Sequence, residues 1–204
     1  METYEFYPRK GLGPFRLGMT EEEAQAVQAG VPHPFRLEFL DGRLARIGLD
    51  KEPEYRVLYH GVDLIRTHVE ELIPALAQEG EVECDCEDPE LAYTYRIPAL
   101  GLELWRETVY HPKLLNNPEF RELIGALPEN LEYEQEHGWW FLQVWAQSDD
   151  PRANFPLEPG RAPYSGGPYH PAPQGPVQEL TPDLAEALTE KYGLQPPDTF
   201  GGGE

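Results

Sequence analysis

The chain is poor in cysteine, in positive charge and in uninterrupted apolar sequence. Only two cysteines occur, Cys84 and Cys86. One residue apart in an extended strand, they would share a face yet be badly placed for a relaxed disulfide. An oxidised, disulfide-stapled scaffold is therefore not expected. No apolar run approaches the roughly 18 residues of a membrane span, and Met1-Glu-Thr-Tyr-Glu5 lacks the basic start and apolar core of a secretory signal. The expected compartment is the cytoplasm. Lys and Arg number 16 against 37 Asp and Glu, a net charge of -21. A field of that sign repels nucleic-acid backbones and anionic membranes, so neither nucleic acid nor a membrane is expected as a partner. A basic protein is the better candidate, and the plainer reading of the charge is solubility.

The signatures of common catalysts are missing too. There is no nucleophile elbow, phosphate-binding loop, dinucleotide fingerprint or H-E-x-x-H pair, and no D-x-D-x-D-G calcium loop. Gly11-Leu-Gly13-Pro14 is too short and proline-broken to cradle phosphate. No cofactor and no catalytic residue are assigned.

What is present is enough to fold. Hydrophobic residues make up 40% of 204 and aromatics 11%, too many for a disordered acidic chain, so the charge must decorate the surface of a folded body. The organising device is a T-x-x-E capping box, Thr20 with Glu23, which returns as Thr67 with Glu70. At the same offset Phe35, Leu37 and Phe39 fall opposite Val82, Cys84 and Cys86. After a short insertion, Val57 to His60 matches Thr108 to His111. The expected architecture is α+β: a tandem helix-plus-antiparallel-strands repeat with helices packed on sheet. Its units span about 11–60 and 61–112, a third helix and a hairpin fill 113–146, and a Pro/Gly-rich C-terminal arm with a last helix occupies 147–204.

In detail, a helix is predicted from Thr20 to about Ala29, stopped by Gly30 and Pro32. Strands follow at 35–39 and 43–49 about an Asp41-Gly42 turn, and at 55–59. Val69, Leu72, Ile73 and Leu76 mark an amphipathic second helix containing Pro74, where a kink or irregular last turn is expected. Strands are predicted at 82–86, 91–97 and 102–110. Asn117-Pro118 opens a third helix facing inward through Phe120, Leu123, Ile124 and Leu127. A final hairpin is predicted, with 131–134 leading to a turn at His137-Gly138 and 139–145 returning inside the sheet or against a partner. From Gln147 to Pro176 the composition becomes proline- and glycine-rich, with Tyr164, Tyr169 and His170. Thr181-Pro182 caps a C-terminal helix bearing Leu184 and Leu188, ended by Gly193.

Candidate site residues have competing readings. Cys84 and Cys86 could hold a soft metal if His60 and His111 supplied two more ligands. Their counterparts Leu37 and Phe39 argue instead for small apolar residues on the inner face of the sheet. Glu81, Glu83 and Asp85, followed by Glu87 and Asp88, form an acidic run that is either a solvated strand face or a docking surface for a basic protein. His60 and His111, each following a tyrosine, read as acid/base or metal groups, or as caps of turns. Adjacent Trp139 and Trp140 must point to opposite faces if extended.

The stretch Gly11-Leu-Gly-Pro-Phe-Arg-Leu-Gly-Met-Thr20 resembles the opening of a group of small, largely uncharacterised bacterial α/β proteins. Gly61-Val-Asp-Leu-Ile65 and Leu100-Gly-Leu-Glu-Leu-Trp-Arg106 resemble segments of the same group, so the resemblance covers residues 11–112. Leu17-Gly-Met-Thr20 is also similar to the helix start of small outer-membrane assembly lipoproteins, a relation set aside for want of a signal peptide and lipobox cysteine. Some proteins of the first group belong to toxin-immunity systems. That resemblance implies a binding role, that of an immunity-like inhibitor. The alternatives are a metal protein or enzyme using Cys84, Cys86, His60 and His111, and a homo-oligomer with the Trp139 to Trp145 strand at its interface.

Overall fold

The computed structural model describes residues 1–126, 128–154, 157 and 160. Within them the chain is α+β, two sheets with helices laid against them. The first sheet is built from β1 (Glu2–Tyr7), β2 (Gly11–Leu12), β3 (Phe15–Arg16), β6 (Tyr55–Tyr59) and β7 (Val62–Asp63), in the order β3-β2-β1-β6-β7. The second contains β4 (Arg36–Leu40), β5 (Arg43–Asp50), β8 (Glu83–Cys84), β9 (Thr94–Ile97), β10 (Leu102–Trp105) and β11 (Gln143–Gln147), in the order β4-β5-β11-β10-β9-β8. All its pairings are antiparallel, whereas β1 and β6 run parallel. The helices are α1 (Glu21–Gln28), α2 (Val69–Leu76), α3 (Pro118–Ala126) and α4 (Pro128–Gly138). No helix among the described residues is long and apolar enough to cross a membrane.

The first capping box forms as the sequence predicts. Thr20 Oγ1 accepts from the Glu23 amide at 3.2 Å, and Glu23 Oε2 accepts from the Thr20 amide at 2.8 Å. The Asp41-Gly42 turn also forms, with φ of 48° and 72°, the paired positive values that a tight two-residue hairpin requires.

The second capping box does not form. Asp63 Oδ1 accepts from the amides of Ile65 and Arg66 at 3.0 and 3.1 Å, and this carboxylate turn organises the approach to α2. The helix begins at Val69 behind His68, which makes no side-chain cap, and runs through Pro74 to Leu76. Thr20→Ala should therefore cost about 1 kcal/mol and Thr67→Ala distinctly less, a contrast that urea denaturation of the two variants checks.

The residue-by-residue repeat also fails at its far end. Val57 and Tyr59 lie in β6, whereas residues 108–111 are outside any strand and lead into a 3-10 helix, Pro112–Asn116. β10 stops at Trp105, short of the predicted 110.

The third helix forms behind Asn117, whose Oδ1 accepts from the amides of Glu119 and Phe120 at 2.9 and 3.1 Å. Leu127 lies outside the described residues. The predicted strand at 131–134 is overturned, because that segment belongs to α4. Leu131, Glu134, Gln135 and Gly138 are all buried, the i, i+3, i+4, i+7 face of a helix. The apolar-polar alternation of Leu131-Glu-Tyr-Glu134 imitated a strand only over four residues. Gly138, read as a hairpin turn, is instead the last residue of this helix. A Cβ there would meet the Tyr110 amide nitrogen at 2.3 Å, so the close approach of the two backbones requires glycine.

β11 lies inside the second sheet with both edges paired, to β5 and β10. Only from Gln143 is this segment a strand. The first residues of the arm predicted from Gln147 belong to the folded body: Gln147 closes β11, the Ser148 amide donates to Ala45 O at 2.8 Å, and 151–153 form a 3-10 turn. The remaining arm, with Tyr164, Tyr169 and His170, and the predicted helix after Thr181 lie outside the described residues.

Candidate functional site

Register fixes the two faces of the second sheet. On its inner face Leu49, Val144, Leu104, Tyr95 and Cys84 form one row across five strands, all but Cys84 buried. On its outer face the row is Arg36, Gly48, Trp145, Glu103, Arg96 and Glu83. The gap at Gly48 is filled by the Trp145 indole, which a Cβ would strike at 2.7 Å.

Glu103 is the hub of the outer face. Its Oε1 accepts from Arg46 at 2.7 Å, and its Oε2 from Arg96 at 2.5 Å and from Gln147 Nε2 at 2.8 Å. Arg46 continues outward to Glu38 at 2.8 Å and lies 4.3 Å over the Trp145 ring. Alternating charges thus run from Glu38 through Arg46 and Glu103 to Arg96, beside which Glu83 stands in register on β8. A cleft of about 260 Å³ opens here, lined in part by Arg9, Glu83, Arg96, Ser148, Asp149 and Asn154. Its cations are engaged, Arg9 with Asp149 and Arg96 with Glu103.

Beyond β8 the acidic run divides in two. Asp85 Oδ1 accepts from the amides of Tyr93 and Thr94 at 2.9 and 3.0 Å. Asp88 accepts from the Glu90 amide and pairs with Lys113 at 2.6 Å. These two carboxylates fold the chain upon itself. Glu79, Glu81, Glu83 and Glu87 are exposed and make no ion pair among the described residues.

His111 joins the turn after β8 to α2. Its Nδ1 accepts from the Lys113 amide at 3.2 Å, which leaves Nε2 facing Glu90 at 3.6 Å and Glu70 at 3.8 Å. The accepted bond at Nδ1 requires the neutral ring to carry its proton on Nε2. Burial pushes the imidazole below its usual value of 6.5; Lys113 acts in the same direction, and Glu90, Glu70 and Asp88 oppose it.

The folded state therefore binds fewer protons than the unfolded state in the window below about pH 6.5. The stability contributed by neutral His111 is complete above that value and is lost as the pH falls. His111→Asn keeps a capping acceptor and should lose less stability than the wild type between about pH 7 and 5, measured by urea denaturation across that range.

The proposed metal quartet is not assembled. Among the described residues no three His, Cys, Asp or Glu side chains are grouped to hold a metal ion. His60 is exposed in the tight turn from β6 to β7, with φ 49° ahead of Gly61 at 81°, and His111 caps a 3-10 helix. His111 thus matches the capping reading, whereas His60 occupies the turn itself, its ring 4.3 Å from that of Tyr59. Cys86 is buried, and burial pushes its thiol pKa up, away from the reactive thiolate. Cys84 Sγ donates to Cys86 O at 3.3 Å. Trp139 and Trp140 are both half-buried with His68 between them, stacked on the first at 5.1 Å and edge-on to the second at 4.3 Å.

Sequence reasoning missed Arg106, which is 1% exposed. Its guanidinium donates to the carbonyls of Ala92 at 2.8 Å, Gly138 at 2.7 Å and Glu90 at 3.1 Å, and to Tyr95 Oη at 3.4 Å. It also missed the Glu103 hub, for which a signal existed: the alternation in Leu102-Glu-Leu-Trp105 puts Glu103 opposite the apolar face. Comparison with protein-family models, curated proteins and solved structures finds no match to this chain.

Proposed function

We propose that the chain is a non-enzymatic, cytoplasmic binding protein whose acidic sheet edge receives a basic protein, in the manner of an immunity-like inhibitor. The supporting observation is the division of charge within the fold. Arg9, Arg36, Arg46, Arg66, Arg96, Lys113 and Arg152 are paired with the chain's own carboxylates, and Arg106 is buried. The negative excess is thereby left outward, and around β8 it is borne by Glu79, Glu81, Glu83 and Glu87. Such a surface accelerates encounter with a cationic partner and orients it, more than it adds affinity.

Pull-down from the native lysate at low and moderate salt should recover a basic protein, more of it at low salt. Against that protein, the triple variant Glu81→Gln, Glu83→Gln, Glu87→Gln should associate at least about tenfold more slowly at low salt. Recovery of no basic protein in either condition, or an unchanged association rate, would refute the reading.

A further inference from the structure

Among the described residues, two polar atoms on the outer face of the second sheet are buried without a hydrogen-bond partner, Arg46 Nε and Gln147 Oε1. They belong to residues directly opposite one another on β5 and β11. One is a donor and the other an acceptor. We infer that a single buried water bridges them and completes the charged network around Glu103.

Neither side chain is free to turn toward another partner. The two terminal nitrogens of Arg46 are held by Glu38 and Glu103, each at under 3 Å, while Trp145 covers the plane of the guanidinium. That arrangement fixes where Nε–H points. Gln147 is oriented by its Nε2 bond to Glu103 Oε2 at 2.8 Å. Flipping the amide would set its carbonyl oxygen against that carboxylate.

The chemistry of the two orphans selects the occupant. A cation would face the Arg46 guanidinium, and an anion would face the Gln147 carbonyl oxygen. A neutral group able to accept from Nε–H and donate to Oε1 satisfies both. A water with two such partners in a polar, buried site is a regular part of protein interiors.

The full chain, uniformly labelled with nitrogen-15, tests this in solution. The Arg46 Nε–H proton should show a cross-peak at the water frequency, with the sign of a long-lived bound molecule. A high-resolution crystal structure should show a water within about 2.7–3.2 Å of both atoms. Nε bonded directly to Oε1, a protein atom from elsewhere in the chain at that position, or no density between the two atoms would each overturn the inference. The decisive measurements are on the wild type, so a variant that fails to fold cannot obscure them.

Discussion

Arg106→Met should destabilise the protein by about 4 kcal/mol, among the largest effects a single substitution produces. Three main-chain carbonyls, those of Ala92, Glu90 and Gly138, accept from this one guanidinium, and a buried acceptor left without a donor costs about 1–3 kcal/mol. The Gly138 carbonyl ends α4, where the helix dipole also favours a cation. Burial pulls the Arg106 pKa below its usual value, with Tyr95 and nearby acids opposing, yet a guanidinium stays protonated near neutrality. Arg106→Lys keeps the charge but not the planar fork, and should recover only part of the loss. Urea denaturation of both variants supplies the comparison; a loss below about 1 kcal/mol for the methionine variant would show that the three carbonyls find other donors.

Glu103→Ala should cost about 3–5 kcal/mol, the usual consequence of removing one member of a buried ion pair. Arg96 is 6% exposed and Gln147 is 0% exposed, so neither can readily turn to solvent once the carboxylate is gone. The cost should reflect the buried charge deprived of this carboxylate more than the strength of any one lost bond. Combining Glu103→Leu with Arg96→Leu should accordingly be milder than Glu103→Leu alone. A double-mutant cycle in denaturant reads this directly as a coupling between the two sites. Additive losses would mean that the two groups act independently.

The elements legible in the sequence were those set by contacts a few residues apart. Thr20 and Glu23 meet across three positions, Asp41-Gly42 closes a hairpin within two, and Asn117 caps the helix it precedes. The inward face of Cys84 was also legible, through its counterpart Leu37 in the proposed repeat, and the structure puts it in the row with Leu49 and Leu104. The failures arose where a local pattern had a distant competitor. Thr67 offered a capping box, but Asp63 took the amides ahead of α2, and Glu70 faces His111. Residues 131–134 alternated like a strand, yet only the packing of Gln135 and Gly138 against Tyr110 shows which side of the segment is buried.

The sequence by itself determined the sign of the surface, the α+β class and the principal turns, because charge count, side-chain periodicity and glycine conformation are local properties. The tertiary structure alone decided which charges remain outward. Strand order set Glu103 between Arg46 and Arg96, folding placed Asp85 and Asp88 on the chain's own donors, and the surplus carboxylates were left on the edge beside β8. Charges many residues apart pair only when register and strand order bring them within a few ångströms, and neither quantity is encoded in any short stretch of chain.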